Sequence, residues 1–311
     1  MSARHTPSSA SREQLSERIG RLKVERNAIL LVHNYQLPEV QDIADFLGDS
    51  LGLSRQAAAT DADTIVFCGV HFMAETAAIL SPQKAVLLPV LEADCPMARM
   101  ITPERLQAMK DGHPGAKVVT YVNSTAEIKA MSDYCCTSAN AVKVLRAVDE
   151  DEVIFVPDRW LGSYAARFVN KKVYCHDGFC PTHHRIMPAH ILRLKHDHPA
   201  AEVVVHPECP ASVVELADAV ESTTGICNYV RARSAEEFII GTEVGLLYRL
   251  EKENPGKRFY APSYVAVCPN MKMTTLETIV WALEDMEHRI TVPEPIASAA
   301  RASIDRMLEL V

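Results

Sequence analysis

Several things are missing from this sequence of 311 residues, and each absence removes a class of function. No uninterrupted apolar run is long enough to cross a bilayer. Met1 to Gln14 is polar and Ser-rich, without the apolar centre of a signal peptide, and reads as a disordered extension of a cytoplasmic protein that does not meet the membrane. No basic run is present and the formal charge is −8 at pH 7, which argues against nucleic acid as the main partner. P-loop, glycine-rich dinucleotide and HExxH motifs are all lacking, and 12 glycines are few for a backbone cradle around nucleotide phosphates. Nor is a disulfide framework indicated. Nine cysteines is an odd number, and without an export signal they point to a reducing compartment and to metal or catalytic use.

What is present is a repeat. Cys-Pro pairs stand at Cys95, Cys180 and Cys268, at intervals of 85 and 88 residues. A fourth pair, Cys209-Pro210, is out of that register. Three β-branched runs of strand length (28–35, 116–123 and 201–208) end at steps of 88 and 85 residues. Fifteen residues beyond each end stands a hydroxyl residue, Ser50, Ser138 or Thr223, opening a helix-like segment as an N-cap would, and five residues before each of these is an aspartate, Asp45, Asp133 or Asp218. Two more strand-like runs follow in each copy, the last running into the Cys-Pro. Periodicity on this scale predicts three copies of one β/α unit.

Strands alternating with helices imply parallel sheets with helices on their faces, and 48% apolar residues suffice for a large core. The expected organisation is α/β, with repeats over 15–112, 113–199 and 200–288. A leading helix is expected over Ser16 to Glu25. A last amphipathic helix within 289–311 is expected to pack back on repeat one.

Ligands of open parallel sheets collect beyond the carboxyl ends of the strands. Superposing the copies stacks His33 with Tyr121 and His206, and Tyr35 with Asn123 and Glu208, polar residues where a strand filler would be apolar. If the copies stand about a pseudo-threefold axis with these ends inward, the cavity suits a small, multiply anionic substrate. Ser50, Ser138 and Thr223 read most simply as caps worth about 1 kcal/mol each, though a helix start with free N–H groups is also a phosphate seat. Asp45, Asp133 and Asp218 read as structural. Three thiolates, one per copy, would form a tripod for a cubane iron–sulfur cluster with one iron left open as a Lewis acid. Zinc in a three-cysteine site with one open position is the rival. The wide ligand spacing is unlike zinc fingers or ribbons and favours iron–sulfur. The other six cysteines read as small buried hydrophobes, Cys209 least securely because it follows Glu208. His184 and His196 to His198 read as solvated, whereas His183, three residues past Cys180, is placed to face the same cavity. A non-catalytic iron–sulfur carrier would use four protein ligands, and the fourth Cys-Pro is out of register. A zinc-dependent lyase on the same scaffold is the second alternative.

The strings HNYQ (33–36), GDS (48–50), DCPMA (94–98), YVNS (121–124), TSAN (137–140), GFCPTH (178–183), HPEC (206–209) and CPNMK (268–272) together resemble the quinolinate synthase family, in order and spacing, from about Arg21 to Lys272. The resemblance implies three homologous αβα domains about a pseudo-threefold axis and a [4Fe-4S] cluster held by Cys95, Cys180 and Cys268. It implies condensation of iminoaspartate with dihydroxyacetone phosphate to quinolinate, with loss of phosphate and water, in NAD biosynthesis. An aspartate-oxidising enzyme would supply the iminoaspartate. By the same resemblance His33, Ser50, Asn123, Ser138, His206 and Thr223 bind substrate carboxylate or phosphate, and Tyr35, Tyr121 and Glu208 form the acid–base group. One departure is that Cys268 is followed by Pro-Asn-Met-Lys rather than a CxxC, so a thiol–disulfide switch is not supported.

Overall fold

The computed structural model describes residues 10–310, so the expected disordered leader falls, over residues 1–9, outside the described residues. Its last part is ordered instead. Helix α1 (Arg12–Glu25) starts earlier than the sequence suggested, because Ser11 and Gln14 form a capping box in which each side chain accepts the other's backbone N–H.

The chain divides into two compact units, one running to Cys95 and resuming over Pro269–Val292, the other Pro96–Cys268 and from Pro293 onward. The first unit holds α1, β1 (Ala28–His33), α2 (Pro38–Asp42), β2 (Phe46–Gly48), α3 (Ser50–Ala59), β3 (Thr64–Cys68), α4 (His71–Leu80) and β4 (Ala85–Leu87). The second repeats that order twice. Its first round is α5 (Pro103–Gly112), β5 (Lys117–Tyr121), α6 (Ala126–Ala130), β6 (Tyr134–Cys136), α7 (Ala141–Ala147), β7 (Glu152–Val156), α8 (Arg159–Ala166) and β8 (Lys172–Cys175). The next is α9 (Pro181–His184), α10 (Pro188–Asp197), β9 (Glu202–Val205), α11 (Ala211–Val214), β10 (Ala219–Val220), α12 (Thr223–Ala232), β11 (Glu237–Gly241), α13 (Gly245–Glu253) and β12 (Arg258–Tyr260). Helix α14 (Leu276–Asp285) belongs to the first unit and α15 (Glu294–Glu309) to the second.

Three parallel four-stranded sheets share one strand order, β2-β1-β3-β4, β6-β5-β7-β8 and β10-β9-β11-β12. This is the expected α/β class with short parallel sheets. The second strand of each sheet, only two or three residues long, went unread in the sequence because so short a run shows no period. The three spaced aspartates hold that strand in place. The carboxylates of Asp45, Asp133 and Asp218 accept the N–H of Leu30, Val118 and Val203, each at 2.8 Å, while their own N–H groups donate back to the carbonyls of the same residues. A second triplet was not anticipated. Lys84, Lys171 and Lys257 each donate to two carbonyls just past α3, α7 or at the end of α12, satisfying groups that helix termini leave without partners.

The helix that follows each Cys-Pro packs not on the sheet that leads into it but on the sheet of another repeat. Leu106 of α5 lies with Val118 and Ile154, and Ile191 of α10 with Val203 and Ile239. In the first unit Ile279, Val280 and Leu283 of α14 lie with Leu30, Val32 and Val66. The last helix departs from expectation as well. Instead of repeat one, α15 covers α6 and β6: Ala300, Ile304 and Met307 are buried, and Ser303 donates to the Lys129 carbonyl at 2.9 Å. An amphipathic helix carries no address in its own sequence, so chain order was a poor guide to its partner.

Candidate functional site

In a sheet of order 2-1-3-4 the chain leaves the first strand in one direction and returns on its other side, which opens a crevice at the carboxyl ends of the first and third strands. In the second unit this places Tyr121 and Asn123 at the end of β5, His206 and Glu208 just past β9, Asp158 past β7, and Thr242 and Glu243 past β11. Glu208, 3% exposed, is the hub. Its Oε1 accepts from the Tyr121 hydroxyl at 2.6 Å, and its Oε2 lies 2.8 Å from His183 Nδ1 and 3.9 Å from His206 Nδ1. Burial by itself would raise the Glu208 carboxyl, but its neighbours, His183 first among them, outweigh burial and hold it well below the usual carboxylate range.

His206 accepts the Glu208 backbone N–H at Nδ1, which leaves the ring proton on Nε2, 3.1 Å from Ser138 Oγ. His33 occupies the equivalent place in the first unit and is held the same way, its Nδ1 accepting the Tyr35 N–H at 3.2 Å with the two rings edge to face. The sequence-expected residues Tyr121, Ser138, His206 and Glu208 therefore meet in one buried network, and His33 and Tyr35 are neighbours in the other unit. Asn123 has a buried Oδ1 with no hydrogen-bond partner among the described residues, an acceptor of the kind a bound molecule satisfies.

The hydroxyl residues are not caps. Asp49 and Ser222 cap α3 and α12, accepting from Gly52 and Gly225, so Ser50 and Thr223 stand one position further in, at the first helical residue. Ser138 precedes α7 in a turn that Asn140 closes by accepting from the Thr137 N–H. Sequence could not separate adjacent residues that are both good caps, and the correction removes the bland explanation for the hydroxyls.

Two further residues join the network, His183 as its place after Cys180 suggests and Asp158 without a sequence signal. His183, 2% exposed, contacts Cys180 Sγ at 3.2 Å through Nδ1 and Thr242 Oγ1 at 2.9 Å through Nε2, and its ring stacks on His206. Asp158 is fully buried, and that burial, with the Glu208 charge after it, pushes its carboxyl well above the usual range. His198, expected to be solvated, stacks on Tyr260. Cys180, His183 and Glu208 offer ligand atoms all within 4.8 Å of one another, a group able to hold a metal. Among the cysteines, Cys95, Cys175, Cys180 and Cys268 are partly exposed, while burial raises Cys68, Cys136 and Cys209 and pushes Cys135 and Cys175 up to about 11. The sequence reading of these five is as small hydrophobes.

Parallel α/β sheets that carry buried acid–base side chains beside a thiol, an imidazole and a carboxylate grouped for a metal define a small-molecule enzyme. Comparison with known proteins makes this specific. The family model for quinolinate synthetase A protein (NadA) matches residues 17–309. The quinolinate synthase of Methanoregula boonei is 60% identical over 296 residues, covering 95% of this chain and 98% of its own. That of Geotalea uraniireducens is 57% identical over 298 residues, covering 96% and 98%. The chain belongs to the quinolinate synthase family of enzymes. No helix among the described residues is long and apolar enough to cross a membrane.

Proposed function

We propose that this enzyme condenses iminoaspartate with dihydroxyacetone phosphate to give quinolinate, phosphate and water, as a cytoplasmic step of NAD biosynthesis fed by an aspartate-oxidising enzyme. The observation that carries the reading furthest is the buried Tyr121–Glu208 hydrogen bond of 2.6 Å beside Cys180. Building an aromatic ring from two acyclic fragments requires protons to leave carbon and to reach departing oxygens. A charged carboxylate in contact with a phenol can move them in both directions. Tyr35, next to His33, adds a second phenol.

Both substrates are anions. His33 and His206 each accept a backbone N–H at Nδ1, which puts the ring proton on Nε2, and His206 shares that proton with Ser138; these side chains would bind carboxylate or phosphate oxygens. Ser50 and Thr223 stand in the first turns of α3 and α12, where backbone N–H groups and the helix dipole favour negative charge. Ser138 supplies a hydroxyl beside His206, and Asn123 offers its unpartnered carbonyl to an imine or hydroxyl hydrogen.

Cys95, Cys180 and Cys268 are the residues that would hold a [4Fe-4S] cluster, for two reasons: their common place in the repeat and the contact of Cys180 with His183. When bound, such a cluster with one iron lacking a protein ligand supplies a Lewis acid for loss of a hydroxyl as water. The direct test is anaerobic reconstitution with iron and sulfide followed by incubation with both substrates. Quinolinate should accumulate with one phosphate released per turnover. A colourless, zinc-loaded protein making quinolinate would overturn the cluster, and no quinolinate from a fully loaded protein would overturn the reaction.

A further inference from the structure

The residue two past the end of the third strand differs among the copies: Val70 after β3, Asp158 after β7 and Glu243 after β11. Both acids are completely buried. Glu243 spans two backbones, accepting the Gly245 N–H at 2.7 Å with Oε2 and the Cys268 N–H at 3.1 Å with Oε1. Asp158 accepts the N–H groups of Trp160 and Leu161 with Oδ1 and so caps α8. Where the first copy has valine, the Cys95 N–H is taken by its own neighbour, Asp94, at 2.8 Å.

We infer that Glu243 is a positioning residue for the cluster: it ties the backbone of a ligand cysteine, Cys268, to the rigid start of α13. The inference rests on the assignment of Cys268 as a cluster ligand. Outer carboxylates that orient metal ligands commonly change metal retention by ten- to a hundredfold when removed. A cysteine N–H engaged by a carboxylate is also withheld from the cluster sulfurs, and both that loss of a donor and the nearby negative charge favour the oxidised cluster.

The test uses the anaerobically loaded protein and two variants, Glu243→Ala and Glu243→Gln, read by the rate of iron loss to a chelator and by the cluster midpoint potential. Glu243→Ala should lose iron about tenfold faster than wild type. Glu243→Gln keeps an acceptor for the Cys268 N–H but not the charge, so it should hold iron nearly as well and show a more positive midpoint. Glu243→Gln, nearly isosteric, carries the test on its own if the alanine variant folds poorly. Iron loss at the wild-type rate in a folded Glu243→Ala, or an unchanged midpoint in Glu243→Gln, from a wild type that holds its cluster, overturns this inference alone. A wild type that takes up no iron overturns the ligand assignment and this inference with it.

Discussion

The two ends of each sheet follow opposite rules. At the amino ends of the second and fourth strands the three copies do the same thing with the same residue types: Asp45, Asp133 and Asp218 hold a strand N–H, and Lys84, Lys171 and Lys257 hold helix carbonyls. At the carboxyl ends equivalent positions diverge, into His33, Tyr121 and His206 after the first strand and Ala98, His183 and Met271 three residues past the cysteines. Sheet order and backbone need are alike in all three copies, so the scaffold requirement is triple and constant. Residues that do chemistry are asked for different things at each position, so the carboxyl-end positions have reason to differ.

The largest expected break in this contrast lies among the cysteines. Cys180→Ser should abolish cluster assembly, measured as iron and sulfide per chain, whereas Cys227→Ser, buried in α12, should leave it intact. Equal loss in both would sink the ligand assignment. Next comes Glu208→Gln, which keeps the shape and an acceptor for Tyr121 but removes the charge. It should retain iron and lose about 10²- to 10⁴-fold in turnover, the usual range for an acid–base group. Full turnover would remove Glu208 from the chemistry. At the scaffold end Asp133→Ala should cost about 1–3 kcal/mol in denaturant unfolding, because it leaves the Val118 N–H without its charged acceptor. Its turnover per loaded chain should stay within about twofold of wild type, far from the acid–base range. A large loss of turnover would show that the aspartates do more than hold strands.

How much of this was legible follows the same division. The aspartates, strand ends and Cys-Pro pairs could be read because one residue type recurred at one spacing. His183 left a fainter mark: Cys-Pro-Thr-His stands where the other copies have Cys-Pro-Met-Ala and Cys-Pro-Asn-Met. Asp158 and Glu243 left none, since the first copy has Val70 and the two acids differ in length. Their role depends on backbone N–H groups that sequence does not display. The lysines were overlooked for a different reason, in that a single lysine before a strand looks like any solvated charge. The destinations of α5, α10, α14 and α15 are tertiary facts, decided by which apolar face was left uncovered.

Divergence among copies is not sufficient evidence of chemistry, and one position sharpens the point. Just before the strand residue held by each aspartate stand Ile29, Lys117 and Glu202, as different as any triplet at the carboxyl ends. None of the three is buried. Lys117 pairs with Asp133 at 3.3 Å, and Glu202 with Arg233 at 2.9 Å. Water solvates these side chains nearly as well as a partner does, so chance can vary them freely. Hydrogen bonding from Arg233, against a smaller opposing effect of burial, lowers the Glu202 carboxyl below its ordinary value. A lowered folded value means that the pair stabilises the fold above the ordinary carboxylate range and that this contribution fades as pH falls through the lowered value. Arg233→Ala should therefore have the smallest effect of the series, a slight shift in denaturant midpoint near pH 7 that narrows in high salt and closes on acidification, with no change in quinolinate turnover. A gap that stayed constant with pH would assign the loss to the contact of the arginine guanidinium with the Tyr229 ring. A fall in turnover would break the rule that only buried divergence marks the site.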